Sequence, residues 1–181
     1  MELTPKNVLT FLRESNYIEG QWDRGSLIMA HKAWKYLIMQ DELTLDVIKE
    51  THKILMKNKH IGSPDNETPI KKEFIGDFRN IPVWVGGSHK VLPKPVIESL
   101  LIDFCNDINK TEDNVILLHI QFENIHPFID GNGRIGRMIM NWHNIRLKNQ
   151  LICFYEREKH IYYSLFSSGV KKELIDEIEK R

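Results

Sequence analysis

Apolar side chains recur at helical spacing along most of this chain. Val8, Leu9, Phe11 and Leu12 form a first stripe behind Thr4-Pro5, an N-cap followed by proline at the first helical position, and predict a helix that stops near Glu19-Gly20. Leu27, Ile28, Ala30, Ala33, Trp34, Leu37 and Ile38 predict a second, from Ser26 to near Gln40. A third begins after Thr44, with Leu45, Ile48, Ile54 and Leu55 on its buried face. The stretch from Lys57 to Pro69 has turn composition and reads as the longest loop. Between Lys71 and Leu92 the period shortens. Val83, Trp84 and Val85, bounded by Pro82 and by Gly86-Gly87, predict a small hairpin with an edge strand, closed by Pro93-Lys94-Pro95. Helical spacing returns at Val96 to Ile108 and Val115 to Ile125, where Pro127 disfavours helical geometry at His126, and again from Arg134 to Lys148 and from about Glu158 to Arg181. The pattern predicts one mostly α-helical domain, residues 1–181, interrupted by one β-hairpin.

Composition narrows the classes. The 181 residues suit one domain, and 41% hydrophobic with 28% charged residues is a globular balance. Lysine plus arginine equals aspartate plus glutamate at 25 each, so a nucleic-acid partner bound by general charge neutralisation is not expected. Cys105 and Cys153 are too few and too far apart for a disulfide scaffold, which fits a reducing cytoplasm. No run approaches 18 apolar residues, so the reading is a soluble protein without a membrane partner.

The chemistry concentrates in His126-Pro-Phe-Ile-Asp-Gly-Asn-Gly-Arg-Ile-Gly-Arg137, between two predicted helices. Gly131, Asn132 and Gly133 tolerate left-handed backbone angles, so their N–H groups can form an anion-binding nest. A helix follows directly, and its positive end attracts the same anion. Arg134 and Arg137 lie three apart at that end, where cations are disfavoured unless an anion sits between them. Phosphates suit that position because guanidinium groups hold them bidentately. Asp130 adds one hard carboxylate oxygen, which with phosphate oxygens matches Mg²⁺. His126 can take a proton from an attacking hydroxyl. The same stretch satisfies GxGxxG, but a dinucleotide fold requires a preceding strand, and here the preceding segment is helical.

The segment resembles the Fic-domain signature HxFx[D/E]GNGRxxR, matched at His126, Phe128, Asp130, Gly131, Asn132, Gly133, Arg134 and Arg137. The lead-in His119-Ile-Gln-Phe-Glu-Asn-Ile is similar too, and Gly76, Arg79, Val83, Trp84 and Gly86-Gly87 look like the family's hairpin flap over about 71–92. The resemblance implies a Fic-type helical bundle that transfers AMP from ATP to a hydroxyl side chain of a target protein, or of itself, releasing pyrophosphate. It implies His126 as general base, Asp130 as Mg²⁺ ligand, Gly131 to Gly133 as phosphate cradle, Arg134 and Arg137 as holders of the outer phosphates, and the flap as the strand that docks the target. Ser15-Asn-Tyr-Ile-Glu19-Gly20 resembles the family's inhibitory motif [S/T]xxxE[G/N]. By that resemblance Glu19 pairs with Arg137 and blocks a productive γ-phosphate pose. The rivals are transfer of another phosphate-containing group, removal of AMP, and a catalytically silent nucleotide-binding module. An intact His126 and Gly-Asn-Gly-Arg stretch argue against the first and last.

Overall fold

Helix α1 spans Pro5–Ile18, opened by the Thr4 side chain, which accepts from the Asn7 N–H. Helix α2 spans Arg24–Ile38, and α3 spans Leu45–Leu55 with Thr44 as its cap. The start of α2 precedes the expected Ser26 because Asp23 is the cap: its carboxylate accepts from the Ser26 N–H, which makes Ser26 an inner residue of the first turn. These features belong to a computed structural model that describes residues 1–57, 71–85, 88–110, 114–166 and 172–179. The loop expected after Lys57 and the Gly86-Gly87 turn lie outside the described residues.

Strands β1 (Val83–Val85) and β2 (Ser88–Lys90) pair antiparallel with Trp84 opposite His89, giving the expected hairpin. Helices α4 (Lys94–Lys110), α5 (Val115–Ile125) and α6 (Asn132–Lys148) complete the bundle. Helix α6 lies at its centre and is buried at every position from Arg134 to Asn144. A helix enclosed all round must satisfy its polar groups internally. Asn141 does so by donating to the Arg137 and Ile152 carbonyls and accepting from the Ile152 N–H. The main core gathers Phe11, Leu37, Ile48, Phe104, Phe122 and Trp142 around it.

A second, smaller core holds Ile18, Ile116, Met140, Tyr162 and Leu165. It explains a departure from the expected element order. The single last helix expected from Glu158 is two helices, α7 (Lys159–Ser164) and α8 (Lys172–Glu179). Burial of Tyr162 and Leu165 seats α7, which ends at Ser164. No helix among the described residues is long and apolar enough to cross a membrane.

Candidate active site

His126 is the residue where α5 ends and the loop to α6 begins. Pro127 disfavours right-handed helical geometry there, and His126 takes the left-handed region at φ 50°. Arg79 holds that turn: its Nε–H donates to the His126 carbonyl and its backbone N–H to the Pro127 carbonyl, each at 2.8 Å. Asn132 closes the loop from the other side by accepting from the Phe128 N–H at 2.8 Å and donating to the Phe128 carbonyl at 2.9 Å. Phe128 itself is buried in the core.

The left-handed angles that Gly131, Asn132 and Gly133 tolerate are used at one of the three positions. Gly131 alone among them has a positive φ, at 83°, while Asn132 and Gly133 already belong to α6 and the Asn132 amide is committed to Phe128. What attracts an anion is therefore the N-terminus of α6, which has no side-chain cap. Arg134 and Arg137 are both buried beside it. Arg134 Nη2 lies 3.4 Å from Asp130 Oδ2. Arg137 is bound by α1, with Nε donating to Ser15 Oγ at 2.9 Å and Nη2 donating to the Ser15 carbonyl at 2.9 Å and to Glu19 Oε1 at 2.7 Å. Gly20, at φ 69°, turns the chain away just after. The Glu19 carboxylate lies so close over α6 that a Cβ on Gly133 would overlap it. A carboxylate thus occupies the first turn of α6, where the helix dipole favours an anion.

His126 lines a cavity of about 510 Å³ together with Glu19, Glu123, Gly133 and Tyr162, and Val85 and Lys90 of the hairpin form one wall. Burial is the main cause that pulls the His126 pKa down to about 4, so the ring is neutral near pH 7 and keeps a lone pair for a proton. Asp130 is the most open of the loop's charged groups, with a side chain 48% exposed and Oδ1 accepting from the Gly131 N–H at 2.6 Å. Among the described residues no three His, Cys, Asp or Glu side chains converge as a metal cage. One open carboxylate beside an anion site fits Mg²⁺, a hard ion that keeps waters and takes ligands from substrate phosphates.

The flap residues divide. Trp84 is 74% exposed and Val83 half-buried. Arg79 is corrected from docking residue to internal staple, because it is fully buried and its Nη1 also reaches the Ile81, Lys90 and Leu92 carbonyls. Gly76, at φ 79°, forms the turn at the root of the flap, where a Cβ would collide with Lys53.

Sequence reasoning gave no role at the site to Glu123 or His52, and read Tyr162 only as a residue that packs the final helix. Glu123 is one helical turn before His126, with Oε2 3.7 Å from Nδ1, and this i, i+3 spacing was a usable signal. Tyr162 lies under the Arg137 guanidinium at 4.8 Å from the ring centroid, and His52 stacks on Phe128 at 3.8 Å. Both come from distant segments, which no local spacing reports.

Buried titratable groups here make stability depend on pH in both directions. Burial, then the Arg137 charge, lowers His119 from 6.5 to about 3, and burial raises Glu123 from 4.5 to about 8. Below 6.5 the unfolded chain binds protons that folded His119 and His126 refuse, so stability falls as pH drops toward 4. Between 4.5 and 8 folded Glu123 keeps a proton that the unfolded chain has released, so stability falls as pH rises through that range. Thermal melts from pH 4 to 9 should peak near neutrality, and Glu123→Gln should flatten the alkaline side. Parallel alkaline slopes in the two proteins would mean that Glu123 is ionised in the fold.

Comparison with known proteins shows the family and the fold. The sequence matches the Fic/DOC family over residues 42–143. It is 33% identical over 135 residues to the protein adenylyltransferase Fic of Drosophila grimshawi, covering 70% of this chain and 25% of that protein. It is 31% identical over 107 residues to the protein adenylyltransferase fic-1 of Caenorhabditis elegans, covering 56% of this chain and 19% of the relative. Solved structures with the same fold include Fic-1 from C. elegans, at TM-score 0.74 and 19% identity over 98% of this chain and 61% of the other. A Fic domain containing signaling protein from Bacteroides thetaiotaomicron overlays at TM-score 0.71 and 18% identity, over 98% of this chain and 83% of the other. The chain belongs to the Fic/DOC family. It spans about a quarter of the Drosophila relative and less of the nematode one.

Proposed function

We propose that this chain is a protein adenylyltransferase that moves AMP from ATP to a hydroxyl side chain of a target protein and is restrained by its own Glu19. The observation that carries the reading is that His126 lines one cavity with Gly133 of the uncapped first turn of α6, the helix end at which Arg134 and Arg137 are buried. The target hydroxyl oxygen attacks the α-phosphorus of ATP, and His126 accepts the hydroxyl proton. The bond from the α-phosphorus to the bridging oxygen breaks, and pyrophosphate leaves. The first turn of α6, Arg134 and Arg137 supply N–H donors and positive charge to the phosphates. Asp130 would hold Mg²⁺, whose charge offsets that of the phosphates. Residues of the flap, Val83 and Trp84 among them, would dock an extended stretch of the target by strand addition.

The restraint follows from charge. Glu19 holds Arg137 through a 2.7 Å ion pair and places its carboxylate beside the first turn of α6. A phosphate approaching that turn meets a like charge and an arginine already engaged.

The general test is incubation of the protein with labelled ATP, Mg²⁺ and a host lysate, followed by mass spectrometry. AMP on a hydroxyl side chain is the expected product. A different transferred group, or none with the Glu19→Gly variant, overturns the assignment. The metal is tested separately. Asp130→Ala should weaken ATP binding in Mg²⁺ by at least about 10-fold, the smaller loss seen when even an outer partner of a metal site is removed. In EDTA the same variant should bind ATP as the unaltered protein does. Equal losses in both buffers, measured by calorimetry, would make Asp130 structural.

A further inference from the structure

His52 touches three parts of the site at once and is absent from the chemistry described so far. It lies on α3, is almost fully buried, and stacks flat on Phe128 with ring planes 2° apart. The Gly76 N–H, at the root of the flap, donates to Nδ1 at 3.0 Å. The Asp130 carbonyl lies 3.1 Å from Nε2.

A backbone N–H can only donate, so Nδ1 must be the acceptor and the ring proton sits on Nε2. Nε2–H then donates to the Asp130 carbonyl, and both ring nitrogens are committed. The peptide between Asp130 and Gly131 is consequently held from two sides. His52 binds its carbonyl, and its N–H donates to the Asp130 carboxylate at 2.6 Å. That peptide orientation aims the Asp130 side chain. Packing alone does not require histidine at this position, since phenylalanine would stack on Phe128 equally well; what histidine adds is one acceptor and one donor at fixed separation.

We propose that His52 is a positioning residue that fastens the root of the flap to the Asp130 peptide, so that the target-docking hairpin and the metal-binding carboxylate are held in one register. The inference takes the meaning of the two ends from the adenylyl-transfer reading, but the fastening itself can be measured independently of it.

Two substitutions separate the two bonds. Asparagine keeps an acceptor near the Nδ1 position and loses the reach to Asp130, whereas glutamine keeps a donor near Nε2 and loses the acceptor facing Gly76. Amide hydrogen exchange should therefore rise at Gly131 and not at Gly76 in His52→Asn, and at Gly76 and not at Gly131 in His52→Gln. His52→Phe should raise exchange at both, directly at Gly76 and at Gly131 through the loosened Asp130–Gly131 peptide, while preserving the stack. Binding of ATP is the second readout. His52→Asn should lose about 10- to 100-fold in affinity in Mg²⁺, the usual effect of removing an outer partner of a metal site, with little change in EDTA. His52→Gln should stay close to the unaltered protein in both buffers.

Equal exchange at both amides in the Asn and Gln variants would overturn the proposal and leave His52 a packing residue. So would unchanged Mg²⁺-dependent affinity in His52→Asn. If the unaltered protein binds ATP no better in Mg²⁺ than in EDTA, the adenylyl-transfer reading fails at Asp130, while the exchange pattern still decides whether His52 joins flap and loop.

Discussion

His126→Ala should lower AMP transfer by roughly 10²- to 10⁴-fold, the usual contribution of a positioned general base, while ATP affinity stays near that of the unaltered protein. The separation follows from geometry. The imidazole stands at the end of α5, whereas the donors expected to meet the phosphates belong to α6. Removing the ring therefore takes away an interaction realised only as the hydroxyl proton leaves. The backbone that shapes the loop is bonded through the His126 carbonyl to Arg79, which alanine retains. Single-turnover rates at saturating ATP, with binding measured in parallel, make the check. A near-normal rate would remove His126 from the role of base; a parallel loss of affinity would mean that the loop has collapsed.

Release of the restraint is the second large effect. Glu19→Gly should raise modification of target and of the chain itself by about 5- to 150-fold, the range of a typical regulatory coupling. Glu19 lies at the C-cap of α1, beyond its last helical residue Ile18, so the helix should survive the change. Arg137 keeps its two bonds to Ser15 and stays in place after the carboxylate is gone. Its engaged nitrogen then becomes available to an incoming phosphate. The double variant Glu19→Gly, Arg137→Ala should lose the gain, and that non-additivity marks a shared pair. Activation that persists undiminished without Arg137 would separate the glutamate from the arginine. An unchanged rate on a verified substrate would make Ser15 to Gly20 an ordinary helix end.

The two predictions draw on different kinds of information. Helix existence, order and most ends were legible locally, because capping and proline stops act within one turn: Thr4, Thr44 and Pro127 each mark the boundary expected of them. The family signature was legible for the same reason, since a contiguous loop carries its own residue types in order. Local reasoning failed where burial decided. Arg79 reads as a charge on an exposed flap but lies inside, because the carbonyls around the left-handed His126 need a donor that no neighbour in sequence provides. Asn132 reads as a turn residue for phosphate, yet its amide closes the loop on Phe128.

By itself, then, the sequence determined a helical domain with one hairpin, a loop chemically suited to phosphate, and a glutamate motif whose partner, by resemblance, is Arg137. Only the tertiary structure decided that Ser15 shares Arg137 with Glu19, that Glu123 and His119 lie beside the same helix, and that His52 bridges flap and loop. The physical reason is the central place of α6. A helix buried on every side draws its partners from segments far apart in sequence, and charge pairing and desolvation there depend on distances that periodicity does not encode.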